Sequence, residues 1–397
     1  MKKLLLFGAG KIGRSFIGPL FGNAGYELVF ADIDQGIVGL LNDASSYRVI
    51  IRDSNHPERE KECIVENVSA LHLSDTEGVI NQMVEADMIA VSVGKRGLIS
   101  LPELLARGLN KRYAVRKVDP VDIILAENVR DAARLLRKGL EPYMPDVPVK
   151  EFVGLVETSI GKMVPIMTEE QIRKDPLSLI AEPYNTLILD RQGFLNEVPD
   201  VKELAPKMNM KAWVDRKIFI HNMGHATLAY QAYFLDSAIK YTWEALSNSQ
   251  LRDVTRKTML QSADILLEKH PDEFTLEQLI EHTDDLLERF SNRALGDTIF
   301  RVGCDLSRKL SADDRLMIPI VSGIKTGKEF SLILEAWVKG CYFNARDGQG
   351  KIHPEDESFR NRYAEDPVTI LRDHCKLDRR DHALIFEGVK KISGKLI

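Results

Sequence analysis

The chain has 397 residues, enough for two to three domains of roughly 150 residues, and 54 basic against 59 acidic residues give a formal net charge of −5. This balance offers no electrostatic basis for nucleic-acid or membrane-surface binding, so we predict no partner of either kind. No apolar run reaches the roughly 18 residues that a membrane-spanning helix needs. The four cysteines form no C-x-x-C pair, which is typical of reduced thiols, and we expect a soluble, cytoplasmic protein.

The first 155 residues alternate between strand and helix patterns. An apolar run at residues 3–7, a glycine turn, a helical pattern at 11–24 and a second apolar run ending at Asp32 form one strand–helix–strand unit. Such a unit implies a parallel sheet with a right-handed crossover, and its continuation predicts an open α/β domain. Further strands are predicted at 47–52, 62–65, 88–93, 122–126 and 152–156, and helices near 34–42, 76–85, 101–109 and 129–139. The 47–65 segment indicates an antiparallel pair with its turn at 54–57.

The rest of the chain is predicted to be mostly helical. Residues 157–200 are rich in proline and turn signals, with a β-like piece at 186–189, and we interpret them as a bridge. From residue 211 onward helical patterns predominate, at 211–235, 237–246, 250–269, 275–290, 308–322, 328–343, 366–375 and 381–393. The expected fold class is therefore α/β: a mostly parallel-sheet domain with the bridge over residues 1–200, and a mostly α-helical domain over residues 201–397.

A glycine fingerprint follows the first strand. Gly8-Ala9-Gly10-Lys11-Ile12-Gly13 fits G-x-G-x-x-G between a strand and a helix, where the glycines allow a tight turn and close approach of a pyrophosphate to the helix N-terminus. Asp32, 19 residues after the last glycine, is placed to bind a ribose 2′-hydroxyl. Asp34 would repel a 2′-phosphate, so NAD is favoured over NADP. Gly94, at the end of another apolar run, is a candidate second wall of the cofactor cleft.

Hydride transfer to NAD needs a group that takes the proton of the alcohol. A zinc-dependent mechanism requires clustered metal ligands, and none of the nine histidines forms an H-E-x-x-H pair. We therefore predict no metal site. Ser100, Tyr113 and Lys117 have the spacing of a short-chain dehydrogenase, but the surrounding helix-end and turn signals predict an exposed loop there, which disfavours that solution.

The third mechanism uses a lysine on a helix as the proton acceptor. Lys217, His221, Asn222 and His225 fall within about 140° of one another on an ideal helix, at about 100° per residue, along a segment that is otherwise apolar. A buried helix carries such a stripe when it lines a polar cavity, whereas the alternative is a solvated face. Gly224 is expected to leave room for a closely approaching ligand.

These residues resemble those of the mannitol dehydrogenase family, the polyol-specific long-chain dehydrogenases. The resemblance rests on K-x-x-x-x-N-x-x-H, matched by Lys217, Asn222 and His225. It extends through the glycine turn with Arg14, through Ala126-Glu127-Asn128 and Asp215-Arg216-Lys217, and through Arg301-Val302-Gly303 and residues 308–316. It implies a Rossmann-like N-terminal domain, a helical C-terminal domain, and metal-independent, NAD-linked interconversion of a sugar alcohol and a ketose.

The resemblance also implies roles for individual residues. Lys217 would be the general base, Asn222 would hydrogen-bond the developing alkoxide, and His225 would orient the substrate or the lysine. Asn128 joins the cofactor residues. A phosphorylated substrate, mannitol 1-phosphate giving fructose 6-phosphate, is expected to use cationic side chains, with solvated ion pairs as the alternative reading. The substrate-binding candidates are Glu157, Arg301, Arg308, Lys309 and Arg315.

Two departures from the family pattern concern the substrate: Gly161-Lys162 stands where the family carries Asp-Arg, and Glu157 stands where it carries asparagine or aspartate. Two alternatives therefore stay open. One is a dehydrogenase of the same family that acts on an unphosphorylated polyol or a hexuronate-derived ketose, and the other is a non-catalytic NAD-responsive binding protein. The sequence does not distinguish a monomer from a dimer.

Overall fold

The computed structural model describes residues 1–396 and divides into two compact units, Met1–Trp213 and a second that begins at Val214. An eight-stranded sheet forms the centre of the first unit. Its strands are β1 (Lys3–Phe7), β2 (Glu27–Asp32), β5 (Val68–His72), β6 (Met88–Val91), β7 (Val121–Leu125), β8 (Val153–Ser159), β10 (Leu187–Asp190) and β11 (Leu204–Lys207). They are arranged in the order β11-β10-β8-β7-β6-β1-β2-β5. Six neighbouring strands, β5, β2, β1, β6, β7 and β8, run parallel. The next strand, β10, pairs with β8 in the antiparallel sense.

The central strands are buried on both faces, because they are continuous apolar runs. In β1, Leu4 and Leu6 point into one core while Leu5 and Phe7 point into the other. Helices cover both faces, as expected for a parallel sheet. The helices of this unit are α1 (Gly18–Asn23), α2 (Gln35–Ala44), α3 (Thr76–Glu85), α4 (Gly94–Ser100), α5 (Pro102–Val115), α6 (Ala132–Leu140), α7 (Val149–Phe152), α8 (Glu169–Lys174) and α9 (Met210–Arg216), whose last residues lie in the second unit. The mostly parallel, Rossmann-like fold class is confirmed.

A second, three-stranded sheet has the order β4-β3-β9, with β3 (Ser46–Ile51), β4 (Lys61–Glu66) and β9 (Leu179–Ala181). β3 and β4 are antiparallel, which confirms the predicted excursion, and β9 adds to β3 in parallel. The segment interpreted as a bridge therefore also contributes strands to both sheets.

The second unit is helical. Its helices are α10 (Met223–Leu235), α11 (Thr242–Ser247), α12 (Ser249–Lys269), α13 (Leu276–Phe290), α14 (Ile299–Gly303), α15 (Leu306–Lys309), α16 (Met317–Thr326), α17 (Ser331–Cys341), α18 (Pro354–Tyr363), α19 (Pro367–Thr369) and α20 (Ala383–Leu396). A π-helix, Lys217–Asn222, lies between α9 and α10. Within residues 1–396 no helix is long and apolar enough to cross a membrane.

Candidate functional site

The glycine turn after β1 is built for close backbone contacts. Gly8 has φ +98°, and a Cβ there would lie 2.1 Å from the carbonyl oxygen of Ser92. A Cβ at Gly13 would lie 2.1 Å from the carbonyl oxygen of Gly8. Gly10, by contrast, faces open space, with nothing within 4 Å of its ideal Cβ position. Two glycines thus make the turn, and the third leaves the room that a pyrophosphate needs, so these residues fit a dinucleotide.

Carboxylate and guanidinium groups fix the shape of this turn. Asp32 accepts hydrogen bonds from the backbone amides of Ala9 at 2.5 Å and Asp34 at 2.9 Å. Buried Arg14 donates from Nε to the carbonyl oxygen of Ala9 at 2.6 Å and from Nη1 to that of Leu177 at 2.9 Å. Asp34 caps α2. Lys11 is exposed, and Ile12 packs partly against the core. Arg14 was noted in the sequence only through the resemblance.

A buried carboxylate links the ends of β6 and β7. Glu127 Oε1 accepts from the backbone amides of Val93 at 2.5 Å and Gly94 at 2.7 Å, and the side chain is only 8% exposed. Gly94 has φ +76°, and Asn128 follows with an exposed side chain. No role for Glu127 was predicted from the sequence, because its partners lie more than 30 residues earlier in the chain.

The candidate base lies in the π-helix of the second unit. This candidate is Lys217, the first residue of the segment. The backbone hydrogen bonds of a π-helix span one residue more than those of an α-helix, and such segments are frequent at functional sites. Burial, with the positive charge of Arg315 as second cause, lowers the pKa of Lys217 to about 7. Asn222 ends the same segment, five residues after Lys217. The sequence predicted one regular helix over residues 211–235, and that prediction was wrong in this segment.

Two histidines, His221 and His225, follow Lys217 in the sequence and form an aromatic cluster with Phe290. The ring of His225 stacks on Phe290 with centroids 4.4 Å apart, and His221 meets Phe290 edge-on at 5.5 Å. Burial, followed by nearby positive charges, holds the pKa of both histidines well below the usual range, so both are neutral at pH 7. The Nε2 of His225 lies 3.6 Å from Asp297 Oδ2, beyond hydrogen-bond distance. This contact is not an ion pair, because His225 is uncharged.

The four predicted cationic residues do not have equal surroundings. Arg301, Lys309 and Arg315 are all among the charges that lower the pKa of His225, after burial. Arg301 pairs with Asp297, and Arg315 pairs with Asp314. Lys309 is 5% exposed and donates to the backbone carbonyls of Val302, at 2.8 Å, and Cys304. Carbonyl groups leave the charge of Lys309 uncancelled.

Arg308 differs from the other three. Its guanidinium binds two carboxylates, those of Asp305 and Asp314, and half of the side chain is exposed. Among the predicted cations it is the one most fully neutralised by neighbouring acids.

Other sequence candidates have structural partners. Glu157 accepts from the amide of Ala133 at 2.9 Å and so caps α6. Lys162 is 6% exposed and donates to the carbonyl oxygen of Tyr184 at 2.8 Å and to Asn185 Oδ1 at 3.0 Å. Tyr113 lies in α5 and packs on Phe152 at 5.0 Å, so the prediction that it lies on a loop was wrong. In residues 1–396 no group of His, Cys, Asp and Glu side chains is arranged to hold a metal ion.

Gly224 has a packing role, so the prediction that it makes room for a ligand was wrong. A Cβ at this position would lie 2.6 Å from Met259 Sδ and 2.7 Å from Met259 Cγ, on α12. The missing side chain therefore lets α10 approach α12 closely.

A buried acid two residues before Lys217 ties this segment to the end of α12. Asp215 is fully buried and binds Lys269 Nζ at 2.8 Å and His270 Nε2 at 2.9 Å. These partners hold the pKa of the Asp215 carboxyl below its usual value despite burial, which acts the other way and is the largest single influence. The sequence indicated Asp215 only through the resemblance.

Comparison with known proteins gives a consistent result for both units. The mannitol dehydrogenase Rossmann domain matches residues 2–203, and the mannitol dehydrogenase C-terminal domain matches residues 209–373. Mannitol-1-phosphate 5-dehydrogenase of Geobacillus stearothermophilus is 32% identical over 79% of this chain and 80% of that protein. The enzyme of the same name from Thermoanaerobacter pseudethanolicus is 31% identical over 95% of both chains.

Solved structures with a similar fold are more distant in sequence. D-sorbitol dehydrogenase in substrate-free form has a TM-score of 0.78 at 16% identity, over 98% of this chain and 94% of that one. Mannitol 2-dehydrogenase of Pseudomonas fluorescens, in a ternary complex with NAD and D-mannitol, has a TM-score of 0.74 at 14% identity, over 100% and 92%. The two domain matches and the relatives above 30% identity together show that the chain belongs to the mannitol dehydrogenase family.

Proposed function

We propose that the protein is an NAD-dependent dehydrogenase that interconverts mannitol 1-phosphate and fructose 6-phosphate, with Lys217 as the general base. The observation that carries the proposal is the Lys217 amine, whose pKa is lowered to about 7. A base with a pKa near the working pH transfers protons most efficiently in both directions. The name shared by the relatives from Geobacillus stearothermophilus and Thermoanaerobacter pseudethanolicus supports the choice of substrate.

NAD, when bound, supplies the acceptor for the hydride. Asp32 would accept a hydrogen bond from the ribose, and the open face of Gly10 would take the pyrophosphate. In oxidation, neutral Lys217 takes the proton of the reacting hydroxyl, and in reduction its ammonium form returns that proton. The amide of Asn222 donates a hydrogen bond to the developing alkoxide. His225, neutral at pH 7, orients substrate hydroxyls through Nε2.

The phosphate of the substrate is assigned to the cations that act on His225. Lys309 is the first choice, because the carbonyl groups that hold it do not cancel its charge. Arg301 and Arg315 follow, since each already shares a carboxylate. Arg308 is expected to contribute least to phosphate binding, because the carboxylates of Asp305 and Asp314 neutralise its charge. A phosphate prefers several convergent cationic donors, as these residues offer.

The test is a matrix of activities. Mannitol 1-phosphate, mannitol, fructose 6-phosphate, fructose and a hexuronate-derived ketose are each assayed with NAD(H) and with NADP(H). We expect turnover of the two phosphates with NAD(H), and a loss of at least about 100-fold in kcat for Lys217→Ala. Lys211→Ala, which removes an exposed lysine of the preceding helix α9, is the control and should retain full activity.

Each other outcome identifies an alternative. Turnover of mannitol without mannitol 1-phosphate would indicate a dehydrogenase of unphosphorylated polyols, and turnover of the uronate-derived ketose alone would indicate that substrate class. Binding of NAD without turnover of any substrate would indicate an NAD-responsive binding protein. Unchanged kcat in Lys217→Ala would rule out this lysine as the base.

A further inference from the structure

The strand order indicates where the two halves of a bound dinucleotide lie on the first unit. From β1 the strands β2 and β5 are added on one side of the sheet, and β6, β7 and β8 on the other, so the strand order switches between β1 and β6. Dinucleotides bind at such a switch point, outside the carboxyl ends of the strands. Asp32, at the end of β2, marks the side of the adenosine ribose. The nicotinamide half therefore belongs to the other side, at the carboxyl ends of β6 and β7. This placement rests on the NAD binding proposed above.

Glu127 lies at that end of the sheet as an uncompensated negative charge. It follows β7 after one residue and is 8% exposed. Its hydrogen-bond donors, the amides of Val93 and Gly94, are neutral, and both bind the same oxygen, Oε1. None of the ion pairs observed across residues 1–396 involves Glu127. Burial raises the pKa of the Glu127 carboxyl and the two amide bonds act in the opposite direction, but these neutral donors do not cancel the charge of the ionised form.

We propose that Glu127 is a positioning residue that also sets the redox balance of the bound cofactor, by favouring oxidised over reduced nicotinamide. Hydride transfer moves two electrons and one hydrogen from the alcohol carbon to the nicotinamide ring, and the hydroxyl proton goes to Lys217. The ring is positively charged before this transfer and neutral after it. A buried carboxylate nearby therefore attracts NAD⁺ but not NADH, and the attraction is stronger in a low-dielectric surrounding than in water.

The charge can be separated from the geometry by one substitution. Glu127→Gln keeps a carbonyl oxygen that accepts from Val93 and Gly94, and it removes the negative charge. If the charge acts as proposed, this variant binds NAD⁺ more weakly but binds NADH nearly as well as the unaltered protein. If Glu127 only holds the Val93–Gly94 turn, both affinities change by the same factor or neither changes.

The experiment measures the dissociation constants of NAD⁺ and NADH separately, by calorimetry and by NADH fluorescence, on the full chain. We expect the ratio of Kd for NAD⁺ to Kd for NADH to rise about fivefold in Glu127→Gln. Asp87→Asn, an exposed carboxylate just before β6 at the opposite end of the sheet, is the control and should leave the ratio unchanged. An unchanged ratio in Glu127→Gln overturns the proposal.

A second variant covers the case in which Glu127→Gln does not fold. Asn128→Asp adds a negative charge at the adjacent exposed position with almost no change of shape, and it should lower the same ratio about threefold. A ratio that stays constant or rises in Asn128→Asp also overturns the proposal. Failure of the NAD binding on which this proposal rests has a different signature, because the unaltered protein would then bind neither nucleotide. Failure of the proposed dehydrogenase activity alone shows in the activity matrix and leaves both dissociation constants measurable.

Discussion

At the scale of single residues, the electrostatics of Lys217 explain how an amine can serve as a base near neutral pH. A lysine in water is protonated at pH 7 and cannot accept a proton. Burial removes the water that stabilises the ammonium form, and the charge of Arg315 repels it further, which together bring the pKa of Lys217 to about 7. The neutral histidines add no positive charge of their own at this pH. At pH 7, about half of the protein molecules then carry a neutral Lys217 that can accept a proton.

This arrangement predicts a pH dependence with opposite signs in the two directions. Oxidation of the alcohol requires neutral Lys217, so its kcat should rise as the pH increases through about 7. Reduction requires the ammonium form, so its kcat should fall over the same range. In Arg315→Gln the loss of a positive charge favours the ammonium form and raises the pKa of Lys217. Both midpoints should therefore move upward, by about half a unit to one unit. Initial rates from pH 5.5 to 9.5 measure this shift.

Arg256→Gln is the control for the charge change. Arg256 of α12 forms an exposed ion pair with Asp284 of α13, and it is not among the charges that act on Lys217. Its substitution should leave the midpoint in place. A downward shift in Arg315→Gln, or an equal shift in both variants, would contradict the electrostatic account of Lys217.

At the scale of elements, the π-helix shows what residue spacing can predict and what it cannot. The spacing of Lys217, Asn222 and His225 pointed to one polar side of a helix, and the family resemblance supplied their candidate roles. The π-helical segment Lys217–Asn222 escaped prediction, because an inserted residue changes hydrogen bonding without changing composition. Asp297 was likewise not identified, since its proximity to His225 joins positions 72 residues apart that only folding brings together.

Packing of α10 on α12 leads to a prediction at Gly224. Alanine favours a helix over glycine by about 1 kcal/mol, but its Cβ would overlap the side chain of Met259. Overpacking of this kind usually costs about 1 to 3 kcal/mol. We expect the overlap to outweigh the helix preference, so Gly224→Ala should lower the melting temperature by a few degrees. Differential scanning calorimetry measures the change.

A double-mutant cycle tests the cause of this destabilisation. Met259→Ala alone should also destabilise, because it leaves a cavity. In the double variant the new methyl group occupies part of that cavity, so the combined loss should be smaller than the sum of the single losses. Additive losses would show that Gly224 does not act through Met259.

Strands with a clear local pattern were predicted from the sequence, and strands without one were missed. Strands β1, β2, β6, β7 and β8 were predicted, because buried parallel strands are continuous apolar runs between helical patterns. β5 was not predicted, since only Asn67, with φ +57°, separates it from β4 and no ordinary turn signal is present. β9 was missed as well, because three residues are too few to show a period. Helix α18 is mostly exposed and has no apolar stripe that would identify it.

At the scale of the whole molecule, charge is distributed unevenly although the net charge is only −5. In the first unit, Asp32 and Asp34 stand beside the glycine turn. In the second unit, Arg301, Lys309 and Arg315 are close enough to lower the pKa of His225. Composition alone could not indicate the acidic group in the first unit or the cationic group in the second, because opposite charges cancel in the net charge of the chain. The acidic group bears on which dinucleotide the protein accepts.

The last prediction concerns stability in the presence of cofactor. A ligand that binds only the native state adds about 2.7 kcal/mol at 100 times its Kd, so NAD should raise the melting temperature. The residues that fit a dinucleotide belong to the first unit, so we expect at least the transition of that unit to move. NADP at the same concentration should have a much smaller effect, because the carboxylates of Asp32 and Asp34 repel its 2′-phosphate.

Asp32→Asn tests whether charge causes this discrimination. Asparagine removes the charge and keeps one of the two acceptor oxygens, so it loses either the bond from Ala9 to Oδ2 or the bond from Asp34 to Oδ1. The glycine turn should persist, because Arg14 still binds the carbonyl oxygen of Ala9. The stabilisation by NAD should fall and that by NADP should rise, so that the two melting curves approach each other. Equal stabilisation of the unaltered protein by NAD and NADP would contradict the role given to Asp32. So would an unchanged difference in the variant, since the negative charge of Asp32 that the 2′-phosphate would meet is then gone. Simple damage to the turn would lower the stabilisation by both nucleotides.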